Sequence, residues 1–275
     1  AAGSGHDTVE RGPAMTSSGL EGVAVVTGGA SGIGAACCRV LAARGARVAV
    51  LDRDRERARE IADQVGGGAR IADVGDEDSL ERAAAAIESD FGPVEVLVNS
   101  AGIIQQPQRP TDLSMEVYDR VVNVDQRGTY LASVVFARRM LPRGRGSIIN
   151  IASIAGMRAL PLHAYSPAKA AVIAMTGCLA AEWGPSGIRV NAVSPGYTRT
   201  PALQDAINRG ERDVSLLERN AALGRLVEPD EIAKVVAFLA SPEASAITGA
   251  NVPVDCGWLA AASWGTYGGL RPYEG

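Results

Sequence analysis

The sequence predicts an α/β fold: a single doubly wound, Rossmann-type domain whose parallel sheet has about seven strands, with helices on both faces. Two observations carry this. From residue 22 onward, short β-branched runs alternate with Ala-rich amphipathic segments. The runs are also nearly continuously apolar instead of alternating, as strands buried on both faces must be. A length of 275 residues suits one large domain better than two small ones.

In order, the runs "GVAVVTGG" (22–29), "RVAVLD" (47–52), "ARIADV" (69–74), "VEVLVNSAG" (94–102), "GSIINIAS" (146–153), "IRVNAVSPG" (188–196) and "ANVPVD" (250–255) read as strands. Helical patterns fill 32–44, 54–65, 76–90, 114–141, 165–183 and 229–240. Residues 197–227 break the beat with a long charged insertion, a length typical of substrate-binding segments. The expected organisation is a flexible N-terminal arm (1–19), the domain (20–258) and a C-terminal extension (259–275).

Composition excludes several classes. The apolar fraction is 47% and the net charge −4, with both signs dispersed. There is no long Lys/Arg run and aromatic residues are only 4%, which argues against a nucleic-acid surface. No uninterrupted apolar stretch reaches the ~18 residues of a membrane span. Cys37, Cys38, Cys178 and Cys256 have neither zinc-ligand nor disulfide-framework spacing, so no metal site is expected and free thiols in a cytoplasmic protein are the simplest reading.

Chemistry concentrates at two places. "TGGASGIGAA" follows the first strand and opens the first helix; Gly28, Gly32 and Gly34 allow a tight turn that aims the helix N-terminus at a pyrophosphate. Asp52 closes the second strand, where a carboxylate accepts from ribose hydroxyls and repels a 2′-phosphate; adjacent Arg53 pulls the other way, and Ser31 adds no second base. The balance favours NAD over NADP. At the other end, Tyr165 and Lys169 stand four residues apart on one helix face. A nearby ammonium favours phenolate, although bringing a phenol from about 10 to near 7 needs roughly 4 kcal/mol.

"TGGASGIG", "NSAG" (99–102), Asn123, Ser153, "YSPAK" (165–169) and "SPGYTRTP" (194–201), in this order, resemble the short-chain dehydrogenase/reductase family over about residues 20–258. The look is closest to polyol and sugar-alcohol dehydrogenases. The resemblance implies Tyr165 as acid/base, Ser153 holding the substrate oxygen, Lys169 lowering the Tyr pKa, and Asn123 linking Lys169 to solvent through water. It implies a cofactor set of Gly28, Ser31, Gly32, Ile33, Gly34, Asp52, Arg53, Asp73, Val74, Asn99, Ala101, Gly102, Tyr165, Lys169, Pro195, Gly196, Thr198 and Thr200. It also implies a homo-oligomer, with four chains the usual assembly. Ser100 stands where the family usually has a second Asn, and Cys256 where it usually has Gly.

The expected activity is therefore NAD(H)-linked interconversion of a secondary alcohol and its ketone, on a small-molecule substrate. Gln105, Met157 and His163 are candidates for the pocket wall, with residues 197–227. The alternatives are a 3-oxoacyl-thioester reductase using NAD(P)H, or a nucleotide-sensing protein without turnover; the latter would have lost Tyr165, Lys169 or Ser153, and all are present. Trp264 and Tyr267 are expected to anchor the extension on a neighbouring subunit or beside the active site.

Overall fold

The structure, a computed structural model, describes residues 19–261 and 263–271. Most of the arm expected over 1–19 and residues 262 and 272–275 of the extension lie outside the described residues. Seven strands form one parallel sheet: β1 (Val23–Thr27), β2 (Arg47–Asp52), β3 (Gly68–Ile71), β4 (Val94–Asn99), β5 (Gly146–Ile151), β6 (Ile188–Pro195) and β7 (Asn251–Val254). Their spatial order is β3-β2-β1-β4-β5-β6-β7. Successive connections run outward from β1 on one side and from β4 on the other. The chain reverses its direction of travel across the sheet between these strands, opening a crevice beyond their carboxyl ends.

The strands show why an apolar run becomes a central strand here. In β1, Ala24 and Val26 enter one core cluster while Val23 and Val25 enter the other. In β2, Val48 and Val50 face the first and Ala49 and Leu51 the second. Alternate side chains thus leave a strand on opposite faces, and both faces are dry. Each buried Val or Leu contributes about 1.5–3 kcal/mol of transfer free energy.

One face is covered by α1 (Gly32–Ala43), α2 (Arg55–Gln64) and α9 (Pro229–Ala240); the other by α3 (Glu77–Phe91), α5 (Thr129–Met140) and α6 (Tyr165–Trp183). The long helix expected over 114–141 is interrupted. A straight helix α4 (Met115–Val121) widens into a π-type turn at Val122–Gly128 before α5 begins. The insertion at 197–227 carries two short surface helices, α7 (Pro201–Asn208) and α8 (Val214–Arg219), neither with a buried residue.

Most helices begin conventionally: Asp54, Asp76, Ser114, Thr200 and Asp213 each accept a first-turn N–H, and Glu228 and Glu231 form a reciprocal capping box on α9. The helices α1 and α6 do not. Ser31 caps nothing in α1, and Ala164 has no side chain able to cap α6. The first turn of α6 borrows its cap from a distant loop, where Gln105 Oε1 accepts from the N–H groups of Ala164 and Tyr165. Gln105, expected on the pocket wall, is 4% exposed and its Oε1 braces the start of α6.

The helix α10 (Trp258–Ala261) leads from the domain into the extension, and the Trp258 ring at its start meets Tyr197 edge-on at 5.6 Å. Trp264 and Tyr267, expected to anchor the extension on a neighbouring subunit or beside the active site, are exposed on this chain. Cys256 stands at φ +52°, the left-handed region that a side chain disfavours.

Two outcomes follow for stability. Cys256→Gly should stabilise the protein by about 0.5–1 kcal/mol, the relief of a left-handed side chain net of added unfolded-state freedom; urea unfolding reads it, and a loss would mean that the thiol packing outweighs the backbone cost. Gln105→Ala should cost about 1–2 kcal/mol in the same measurement through loss of the borrowed cap. If stability holds while KM for substrate rises, the brace is not its role.

Candidate active site

The turn after β1 is built for close backbone approach. Gly28 sits at φ +64°, and a Cβ there would lie 2.6 Å from Ala101 Cα. A Cβ on Gly34 would lie 2.1 Å from the Gly28 carbonyl oxygen, so the helix start folds directly onto the turn. The Thr27 hydroxyl accepts from Ser100 and Ala101 N–H (3.1 and 3.2 Å), tying the carboxyl ends of β1 and β4 together at the crevice.

The N-terminus of α1 has no side-chain cap and no acidic residue in its first turn. Its N–H groups and positive dipole end are left for an anion, and exposed Ser31 and half-buried Ile33 flank it. Asp52 sits at the end of β2, its Oδ2 accepting from Ala30 N (3.1 Å) in this turn and its Oδ1 from Asp54 N (3.0 Å). The glycine cradle, uncapped helix and carboxylate fit a dinucleotide, with the carboxylate at the adenosine ribose. Arg53 points to solvent.

Asp73 is exposed at the loop after β3, whereas Val74 is buried beneath the π-type turn, against Gly128. Thr200 caps α7 and brings its methyl to 3.5 Å from where a Gly32 Cβ would be, so the 197–201 segment overhangs the glycine turn. Pro195 ends β6, Gly196 N–H donates to Val254 O (2.9 Å), and the buried Thr198 hydroxyl donates to Gly196 O (3.0 Å).

Ser153 follows β5 by two residues, with its Oγ accepting from Ala155 N (3.1 Å). Lys169 is 4% exposed; its Nζ donates to Ile151 O (3.0 Å) and lies 5.5 Å from the centre of the Tyr165 ring. The structure thus brings Ser153, Tyr165 and Lys169 together at the carboxyl edge of the sheet.

Asn123 is not among them. It is exposed, accepts from Arg127 Nη1 (3.3 Å) and packs on Gly75, in the loop after β3. The residue at Lys169 is Asp125, wholly buried, its Oδ2 3.1 Å from Nζ and its Oδ1 accepting from Ile103 N (2.8 Å). The sequence reading missed it because it sought an amide in this segment. A signal was present, however. Asp125, Gly128, Thr129, Ala132, Ser133 and Phe136 fall at i, i+3, i+4, i+7, i+8 and i+11, and all are buried. Asn123, Arg127 and Tyr130 share the exposed side. Gly102 borders the pair: a Cβ on it would lie 3.0 Å from Asp125 Oδ2 and 3.4 Å from Lys169 Nζ.

Asn99 is buried at the end of β4. Its side chain donates to Asn150 Oδ1 and Ser133 Oγ (both 2.9 Å) inside the domain, leaving only backbone for a ribose. Met157 and His163 line a shallow cavity of about 410 Å³ with Leu160, Ser166 and Pro167; neither Ser153 nor Tyr165 borders it.

Lys169 acts on the Tyr165 phenol in the expected direction, favouring the phenolate, but burial outweighs it. Burial pushes the phenol above its ordinary value; Lys169 opposes this, Asp125 reinforces it, and a Ser153 hydrogen bond opposes it. Lys169 itself is held above its ordinary value although burial pulls it down, because Asp125 and then Tyr165 favour the ammonium. Burial raises Asp125 against the pull of Lys169 and the Ile103 N–H.

Comparison with known proteins gives a consistent picture. A family model described as enoyl-(acyl carrier protein) reductase matches residues 28–259. The galactitol 2-dehydrogenase (L-tagatose-forming) of Cereibacter sphaeroides is 42% identical over 242 residues, covering 86% of this chain and 94% of that protein. The D-threitol dehydrogenase of Mycolicibacterium smegmatis is 40% identical over 242 residues, 86% of this chain and 92% of its own length. A longer relative, an uncharacterized short-chain type dehydrogenase/reductase of Sinorhizobium fredii, is 39% identical, and the match spans 43% of it. Among solved structures, one described as ribose-5-phosphate isomerase from Brucella melitensis superposes with a TM-score of 0.91 at 50% identity, covering 92% of this chain and 99% of that one. With its parallel sheet, glycine turn and clustered Ser153, Tyr165 and Lys169, the chain belongs to the short-chain dehydrogenase/reductase family, oxidoreductases that act on CH–OH groups.

Proposed function

We propose that this chain interconverts a secondary alcohol of the polyol or sugar-alcohol type and its ketone, using NAD(H), with Tyr165 as the acid/base. The observation that carries this is the convergence of Ser153, Tyr165 and Lys169 beside the crevice that the glycine turn opens. The bound dinucleotide supplies the hydride acceptor or donor. In oxidation, the Ser153 hydroxyl holds the substrate oxygen, and Tyr165 takes the hydroxyl proton as the C–H bond is given up. Lys169, fixed by Ile151 O and Asp125, supports the phenolate and lies close enough to Gly102 to meet a ribose passing there.

The preference for NAD rests on Asp52, whose carboxylate is anchored to the glycine turn where a 2′-phosphate would bring further negative charge. The polyol reading draws on the galactitol and D-threitol dehydrogenases. Reduction of an acyl-thioester ketone with NAD(P)H is the second reading, favoured by the description of the matching family model. Met157 and His163 enter either substrate pocket only if the shallow cavity beside α6 connects with Ser153 on binding. No helix among the described residues is long and apolar enough to cross a membrane; a cytoplasmic homotetramer is the corresponding assembly in this proposal.

Purified protein assayed for NAD⁺ reduction across polyols, sugars and simple secondary alcohols should turn over one of the polyols, and Tyr165→Phe should lose about 10²–10⁴-fold in kcat. Turnover only of 3-oxoacyl thioesters would move the assignment to the second reading. An active Tyr165→Phe would remove the acid/base role. Asp52→Ser should raise kcat/KM with NADP relative to NAD by about tenfold or more; an unchanged ratio would place Asp52 away from the ribose.

A further inference from the structure

The buried carboxylate at Lys169 has so far been given no role beyond fixing that side chain. We propose that Asp125 is a positioning residue that sets the proton affinity of the Tyr165–Lys169 pair, holding both protons on the pair at neutral pH and thereby poising Tyr165 as the acid for ketone reduction. This rests on the reading of Tyr165 as the acid/base.

The geometry supplies the argument. Asp125 is fully buried, so its charge is not screened by water. One oxygen is fixed by the Ile103 N–H, which aims the other at Lys169 Nζ, 3.1 Å away. The ammonium's remaining protein contact is a neutral carbonyl, Ile151 O. The π-type turn at Val122–Gly128 sets Asp125 on the buried stripe, and Asp125 O accepts from the Thr129 hydroxyl (2.7 Å), which locks that turn. The groups facing the phenol are Lys169 on its own helix, Asp125 from the π-type turn and Ser153 from the end of β5. Among these the ammonium and carboxylate cancel in net charge. An ammonium without its counter-charge would stabilise a phenolate; this one is largely spent on Asp125.

The sign can be worked out for the cluster as a whole. With Asp125 ionised, the cluster Tyr–OH, Lys–NH₃⁺, Asp–COO⁻ is neutral, and losing a proton makes it anionic. With an amide in place of the carboxylate, the same cluster is cationic, and losing a proton makes it neutral. The first deprotonation is therefore easier without the carboxylate, whichever of Tyr165 and Lys169 releases the proton. Reduction uses the protonated phenol and oxidation the phenolate. The carboxylate thus favours the acid form at neutral pH and moves the rise of alcohol oxidation to alkaline pH.

The test is Asp125→Asn, which retains an oxygen for the Ile103 N–H, removes the negative charge and replaces the acceptor facing Lys169 Nζ with an uncharged NH2. Two readouts are taken. The first, on ligand-free protein, is an ultraviolet difference titration against Tyr165→Phe, which isolates the Tyr165 phenolate. The second is the pH profile of alcohol oxidation. The proposal expects an alkaline phenolate midpoint in the wild type and, in Asp125→Asn, midpoint and acid limb both moved to lower pH by about one unit or more, a tenfold change in proton affinity. An unmoved midpoint with lower thermal stability would make Asp125 merely structural and overturn the proposal. A near-neutral midpoint in the ligand-free wild type would overturn it too, and that arm decides if the variant does not fold. Since the titration needs no turnover, loss of the functional reading, seen as an active Tyr165→Phe, stays separate from loss of this one.

Discussion

The requirement that a parallel sheet be dry on both faces governs this molecule. Val23 and Val25 serve one core while Ala24 and Val26 serve the other, so β1 tolerates no polar side chain before Thr27. Polar chemistry is thereby driven to the strand ends. Thr27, Asp52, Asn99 and Ser153 all stand at or just beyond the carboxyl ends of their strands. The chain reverses between β1 and β4, so these ends border one crevice. Function is placed by the same burial that stabilises the fold.

Where polar groups enter the interior beneath the crevice, several are linked in a chain, although buried atoms such as Asn99 Oδ1 and Gln105 Nε2 have no partner. Asn99 donates to Asn150 and Ser133, Asn150 donates to Thr176, and Thr176 and Ser133 donate to carbonyls of their own helices. An unpaired buried amide would cost about 1–3 kcal/mol. This chain of bonds joins β4 and β5 to α5 and α6 directly beneath Tyr165 and Lys169. The ion pair of Asp125 with Lys169 obeys the same rule with higher stakes. A charge in this setting demands a counter-charge, and the mutual attraction must offset the desolvation of both.

Strand positions were legible because apolar runs in a sheet buried on both faces have few alternatives; the expected 47–52 strand matches β2 to the residue. The glycine turn was legible because a positive φ at Gly28 and Gly32 excludes most other residues. Asn123 illustrates the opposite case. Its residue type suited the resemblance, whereas the buried stripe that runs from Asp125 into α5, readable from spacing, selects Asp125. The bracing role of Gln105 was not legible, for a different reason. A cap borrowed across 60 residues leaves no local pattern, and it shows only once α6 and the loop after β4 are brought together.

In both α1 and α6 the flanking residues leave the first turn without a side-chain cap of their own, and both helices border the crevice. At α1 the free N–H groups suit an anion from outside the chain. At α6 a cap at the junction would have to come from position 164, immediately before Tyr165, the acid/base of the proposed reaction. Ala164 is itself wholly buried, which leaves no room there for a polar cap side chain. Gln105 resolves this by reaching in from the loop after β4, so the strand end that borders the crevice also fixes the first turn of α6. The backbone N–H of Tyr165 and the side chain of Lys169 are held by the same loop region, through Gln105 in one case and through Ile103 and Asp125 in the other. The loop after β4 therefore ties the crevice to the start of α6 and, through Asp125, to Lys169.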